Sequence, residues 1–181
     1  MKVYNLLLKK TMVCIAIMGL WSSYSALAAD IGSAQLNITG TVKASPCTVD
    51  STDGQNVNVN LGTDIQATSL STGGQGSTLI PFTLHLKDCP TSTSSVTATF
   101  SGVQADEDAT LYKNTGDATR VQIELQDTAG NKKGNGSTMT ANVVSATSDA
   151  SFLLRARAYT VNGGVTPGSI VGTVQVAFTY Q

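Results

Sequence analysis

The sequence is short of the residues that usually carry chemistry. It has one histidine, His85, and three cysteines among 181 residues. A zinc site takes about four ligands, which that supply does not provide. Only 13% of the residues are charged. No glycine-rich phosphate loop and no nucleophile motif is present. No stretch keeps a 3.6-residue apolar period, so a helical architecture is excluded. What remains is rich in Thr, Ser, Val and Gly, the composition of short strands and turns.

The first residues read as a leader rather than as fold. Lys2, Lys9 and Lys10 make a basic start, Thr11 to Trp21 is an apolar run short for a bilayer span, and Ala26-Leu27-Ala28 fits an A-x-A cleavage site. Residues 1–28 are therefore expected to be a secretory signal peptide. Its removal would leave 153 of the 181 residues, one domain by length. The three lysines and the only tryptophan, Trp21, would leave with it. Eight basic residues would then face twelve acidic ones, a net charge of −4. Nothing in that balance calls for nucleic acid or anionic lipid.

Two cysteines, Cys47 and Cys89, stay in the exported part. An even pair without accompanying metal ligands in an exported chain reads as a disulfide. It would close a loop of about 42 residues and stabilise by about 4 kcal/mol on the chain-entropy account.

Short alternating runs follow one another. They include Val57-Val59-Leu61, Ile80-Phe82-Leu84-Leu86, Val96-Ala98-Phe100 and Val121-Ile123-Leu125. Turn residues bound them: Ser51 to Gly54, Thr72 to Gly74, Asn114 to Asp117, Thr128 to Asn131, then Asn162-Gly163 and Pro167-Gly168. This spacing predicts one β-sandwich of immunoglobulin-like size. The Ser/Thr/Gly-rich stretch from Thr63 to Ser77 is expected to be a long loop crossing from one sheet to the other. In the run Phe152 to Tyr159, Arg155 and Arg157 share one face, expected to be an exterior face on which cations keep the sheet soluble.

The sequence ends inside a strand pattern. Val174, Val176, Phe178 and Tyr180 alternate with Thr173, Gln175, Ala177 and Thr179, and no turn follows. One side of that strand is expected to lack cover from any later segment. Near the front, Gly32, Ala34, Leu36, Ile38, Gly40 and Val42 form an apolar face opposite Ser33, Gln35, Asn37, Thr39 and Thr41. Alternation alone leaves two readings open. Residues 30–42 could be the first strand of their own sandwich, or a strand given to another copy. An unfinished last strand and a spare first one together favour head-to-tail assembly, a contact that does not close and so makes a fibre.

In these residues the chain resembles subunits of chaperone–usher (type 1) pili, and most closely the small tip-fibrillum adaptor subunits. Pro46-Cys47-Thr48-Val49 is similar to the family's first cysteine motif, and Leu86-Lys87-Asp88-Cys89-Pro90 to the second. Val96 to Gly102, Val121 to Asp127 and Ala158 to Gly164 follow in the family's order, as do Gly168 and the penultimate Tyr180. The resemblance covers the whole chain after the leader. It implies an all-β, incomplete immunoglobulin-like sandwich (pilin fold) lacking its final strand, spanning residues 43–181, with residues 29–42 as a donor-strand extension. It also implies export through the periplasm to the cell surface. The partners would be a periplasmic pilus chaperone, an outer-membrane usher and neighbouring subunits on both sides, by β-strand addition.

Carried onto this sequence, the resemblance places Ala34, Leu36, Ile38, Gly40 and Val42 along the donated strand. Val174, Val176, Phe178 and Tyr180 would line the acceptor groove, and the Gln181 carboxylate would meet the chaperone. Family donor strands carry a bulkier residue where Ala34 stands, which leaves the register at that end open.

Other functions fit less well. His85 alternates with Leu84 and Leu86 and is expected to point outward as an ordinary surface residue. Asp106-Glu107-Asp108 lies in a loop and reads as a solvated cluster, a weak calcium site being the alternative. No catalytic, metal or cofactor-binding residue is expected. A two-domain sugar-binding adhesin needs more chain than 153 residues, and the exported part holds no tryptophan to stack on a sugar. A major rod subunit is the alternative to an adaptor. A subunit that ends the pilus need not donate a strand, which the pattern from Ala34 to Val42 argues against. A self-contained secreted β-sandwich binding module is the reading outside the family.

Overall fold

The computed structural model describes residues 34–43, 45–51 and 56–181. The expected leader, residues 1–28, lies outside them, as does part of the Ser51–Gly54 turn. The chain divides into two compact units, Met1–Gly40 and Thr41–Gln181.

Among the described residues nine strands build the second unit: β1 (Thr48–Asp50), β2 (Gln75–Gly76), β3 (Ile80–Lys87), β4 (Ser95–Gly102), β5 (Tyr112–Lys113), β6 (Gln122–Asp127), β7 (Thr138–Asn142), β8 (Ala150–Thr160) and β9 (Val174–Tyr180). One sheet has the order β1-β3-β8-β6-β5, with β2 also paired to β8. The other has the order β7-β4-β9. Every pairing is antiparallel.

Alternation decides which side chains meet between the sheets. Leu84 and Leu86 of β3, Val96, Ala98 and Phe100 of β4, and Phe152, Leu154 and Ala156 of β8 are all buried. These are the period-2 positions that the sequence predicts. The residues between them on β3 and β4 are only partly covered or exposed. Pro81, which cannot donate to a ladder, falls in the part of β3 that β1 does not reach. Cys47 and Cys89 are joined in a disulfide that ties the start of β1 to the end of β3.

Three expectations need correction. Residues 57–61 are not a strand. Their alternation is real, and Val59 and Leu61 pack against the core, but a strand needs a laddering neighbour and none is assigned to them among the described residues. The stretch from Thr63 to Ser77 does not carry the chain into the three-stranded sheet. It forms a 3-10 turn at Ala67–Leu70, pinned by the buried Leu70, and rejoins the six-stranded sheet as β2. Its return is close to β8's end: a Cβ on Gly163, where φ is +73°, would lie 2.4 Å from the Ser71 carbonyl oxygen.

The third correction concerns Arg155 and Arg157. They do lie on the outer face of β8, but that face is not simply solvated. Arg157 donates from Nε to Glu124, whose side chain is only 4% exposed. Arg157 also lies 5.1 Å from the Tyr159 ring, with Lys132 5.6 Å from the same ring. Arg155 donates to the backbone oxygens of Asp127 and Thr128 at 3.0 and 2.8 Å. β2, paired beside β8 in the same sheet, runs close to Arg157: a Cβ on Gly76 would meet its side chain at 2.8 Å.

Candidate functional site

β9 pairs with β4 over seven residue pairs, from Gly102↔Val174 to Val96↔Tyr180. Its other edge has no ladder partner among the described residues. Along that edge runs a groove of about 2300 Å³. Val174, Val176, Phe178 and Tyr180 form one wall, each half-buried, while Gln175, Ala177 and Thr179 face solvent. The floor is apolar: Phe82, Leu84, Phe100, Leu125, Leu154 and Ala156. Val57, Val59 and Leu61 form the facing wall. A trough with an apolar floor, bordered by a strand edge without a ladder partner among the described residues, offers two things at once. It offers main-chain groups to a strand laid beside β9 and pockets to that strand's alternate side chains.

The groove is shallow cover over the core. The Phe178 ring lies 5.9 Å from Phe152 and 6.5 Å from Tyr180. Burial pushes the Tyr180 hydroxyl above its ordinary pKa, and a hydrogen bond with the Cys47 backbone partly offsets this. At the other end, Gly168 approaches the 117–118 backbone so closely that a Cβ would lie 2.3 Å from the Ala118 nitrogen. Val165 and Ile170, on either side, pack beside Leu70, Ala118 and Val121 as a second small core.

Gln181 stands outside the trough and is exposed. Its backbone oxygen accepts from the Ser94 and Ser95 amides at 2.6 and 3.1 Å and from Ser94 Oγ at 3.1 Å.

Residues 34–43 form neither helix nor strand. Ala34 and Gly40 are exposed, and Leu36, Ile38 and Val42 are 80%, 84% and 98% exposed. Gln35 Nε2 donates to Asn37 Oδ1 at 3.2 Å, so two neighbours on the polar face lie together, as extended backbone requires.

The remaining candidates are accounted for by ordinary pairing. His85 lies on the outer face, with Nδ1 3.1 Å from Asp50 and Nε2 3.8 Å from Asp149. Asp106 pairs with Lys113, whereas Asp108 accepts from Thr110 and Lys132. Those carboxylates turn to different partners, and no group of His, Cys, Asp or Glu among the described residues could hold a metal ion. The sequence reading missed the buried Glu124. Its signal was the cross-strand position of Arg157, directly opposite on β8.

Comparison with known proteins gives one answer. The profile of the family described as Fimbrial protein matches residues 36–181. Protein FimG of Escherichia coli strain K12 is 41% identical over 173 residues, 96% of this chain and 98% of its own length. The S-fimbrial adhesin protein SfaS of Escherichia coli O6:K15:H31 is 36% identical over 160 residues, 87% of this chain and 90% of its own. Among solved structures, the P pilus rod subunit PapA matches 76% of this chain and 100% of its own, with a TM-score of 0.64 at 17% identity. A subunit from a chaperone–usher pilus matches 83% and 97%, with a TM-score of 0.61 at 20% identity. At such identities these structures speak for the fold alone.

Proposed function

The chain belongs to the fimbrial protein family, and from that premise we propose that its groove receives a strand from another protein and that its own extension is donated in turn. It is a structural pilus subunit, exported to the cell surface as part of a fimbrium. Its place in the pilus is that of a minor tip adaptor, a reading supported by the likeness to FimG along nearly the whole of both chains.

The single observation that carries the strand-addition reading is the open edge of β9 beside an apolar trough. Val174, Val176, Phe178 and Tyr180 would receive alternate side chains of the incoming strand. Ala34, Leu36, Ile38, Gly40 and Val42 would play the matching part in a neighbour's groove. Before assembly a periplasmic chaperone would lend the strand, and an outer-membrane usher would exchange it. Exposed apolar side chains on both the extension and the groove explain why such help is needed: either surface left free invites aggregation. The reading assigns no catalytic role to any residue.

The test is a thermal melt of residues 43–181, with and without a copy of Asp30–Val42 fused through a flexible linker after Gln181. A large rise in midpoint with the fused strand is expected. Equal, cooperative melts would mean that the sandwich is closed without it. The number of copies per pilus separates an adaptor, present once or a few times, from a major rod subunit.

A further inference from the structure

The short segment between Cys89 and β4 has contacts that neither the groove nor the core explains. Thr93 is 3% exposed, yet it is polar and lies outside the strands. Its hydroxyl donates to the Ser45 carbonyl oxygen at 3.2 Å. Its own amide is taken by the Pro90 carbonyl at 2.9 Å, which fixes the turn that presents the hydroxyl. Ser45 stands two residues before Cys47, at the base of the extension. The next residues reach the receiving side. The Ser94 and Ser95 amides both donate to the Gln181 oxygen, the Gln181 amide donates back to Ser95, and the Ser94 carbonyl accepts from Val143. Three consecutive residues therefore hold the base of the outgoing strand, the end of the groove wall β9, and the segment after β7.

We propose that Thr93 is a positioning residue for strand donation: its buried hydroxyl fixes the peptide from which the extension departs and links it to the end of the strand that receives. This deepens the proposed function and rests on it for its biological meaning. The physical reason is entropy. Each backbone residue held in one conformation before assembly is one fewer to order when the strand is seated. A fixed base also limits how far one subunit swings against the next. A buried hydroxyl is a suitable device because its loss leaves the Ser45 carbonyl without that bond.

The test uses the full exported chain, residues 29–181, with its groove filled by the fused strand copy. The variants are Thr93→Val, which keeps the shape and removes the donor, and Thr93→Ser, which restores it. Backbone 15N relaxation at Lys43, Ser45 and Cys47 is read together with the thermal midpoint. Expected for Thr93→Val is a fall in order parameter at Lys43 and Ser45 from the rigid range, about 0.85, toward about 0.6. Cys47 should stay rigid, and Thr93→Ser should behave as the parent. Unchanged order at Lys43 and Ser45 in Thr93→Val would overturn the proposal. So would loss of order throughout the domain, which would make Thr93 a residue of the fold only. If Thr93→Val does not fold, Thr93→Ala is read the same way, and if neither folds the proposal fails. The relaxation measurement can also be made without the fused strand, so failure of the groove reading and failure of this one are distinguishable.

Discussion

Phe178 of β9 and Phe152 of β8 face each other across the sandwich with ring centroids 5.9 Å apart. Phe152 is fully buried and Phe178 half-buried, so one ring belongs to the core and the other to the groove wall. Phe178→Ala should therefore act on both. We expect a loss of about 3 kcal/mol in the strand-filled domain, at the low end for aromatic truncation because Phe178 starts partly exposed. The gain in midpoint from the fused strand should shrink as well. Urea unfolding of parent and variant, each with and without that strand, reads both effects. A stability loss with an undiminished gain would remove Phe178 from the groove.

Glu124 and Arg157 form a pair on the covered outer face of β6 and β8. Glu124 is almost wholly buried and Arg157 about a quarter exposed, so removing one partner leaves the other's charge largely unpaired. Glu124→Leu should cost about 2–3 kcal/mol, less than a fully buried pair because solvent still reaches the guanidinium. The double variant Glu124→Leu/Arg157→Leu should recover much of that loss. Equal losses in the single and double variants, read by urea unfolding, would mean the pair is not coupled.

Asp127 gives the domain an acid limit. The Asn131 side chain donates to its carboxylate, the Asn131 amide adds a second bond and Lys133 a third contact, and together they hold the carboxyl at about 2, against the ordinary 3.8. A depressed pKa in the folded state means a contribution that is complete above the unfolded value and is lost as pH falls through the folded one. Stability should thus drop between about pH 4 and pH 2. Asp127→Asn should flatten that part of the profile. A variant profile that still falls as steeply as the parent's would place the acid limit elsewhere.

Much of the fold was legible because alternation and burial agree wherever a strand packs on one face only. Leu84, Leu86, Val96, Ala98, Phe100, Phe152 and Leu154 all fall where period 2 puts them. The sequence reading missed the burial on the other face of β6, where Gln122, Glu124 and Gln126 are as buried as Leu125. It failed again at residues 57–61, where the pattern of a strand is present but its ladder is not. Pattern reports the faces of a segment; pairing depends on a neighbour. Val174, Val176, Phe178 and Tyr180, the alternate residues of the last strand pattern, line the trough beside β9. The link through Thr93 was not legible, because one hydroxyl bonded to a carbonyl 48 residues away leaves no periodic trace.

Ile38 offers the sharpest test of donation. It is 84% exposed in this chain, so replacing it should not disturb the domain that carries it. In a neighbour's groove it would enter an apolar pocket, where an unpaired carboxylate is costly by several kcal/mol. Ile38→Asp should therefore leave the melt of the strand-filled domain and the chaperone complex unchanged while blocking assembly of the subunit that this chain completes. Asn37→Asp, on the polar face, should permit it and serves as the control for charge alone. The readout is the composition of pili purified from cells carrying each variant. Ile38→Asp found in pili with a subunit attached ahead of it would show that the face from Ala34 to Val42 is not the donated one. Loss of assembly in both variants would point to charge in the extension rather than to a side chain in a pocket.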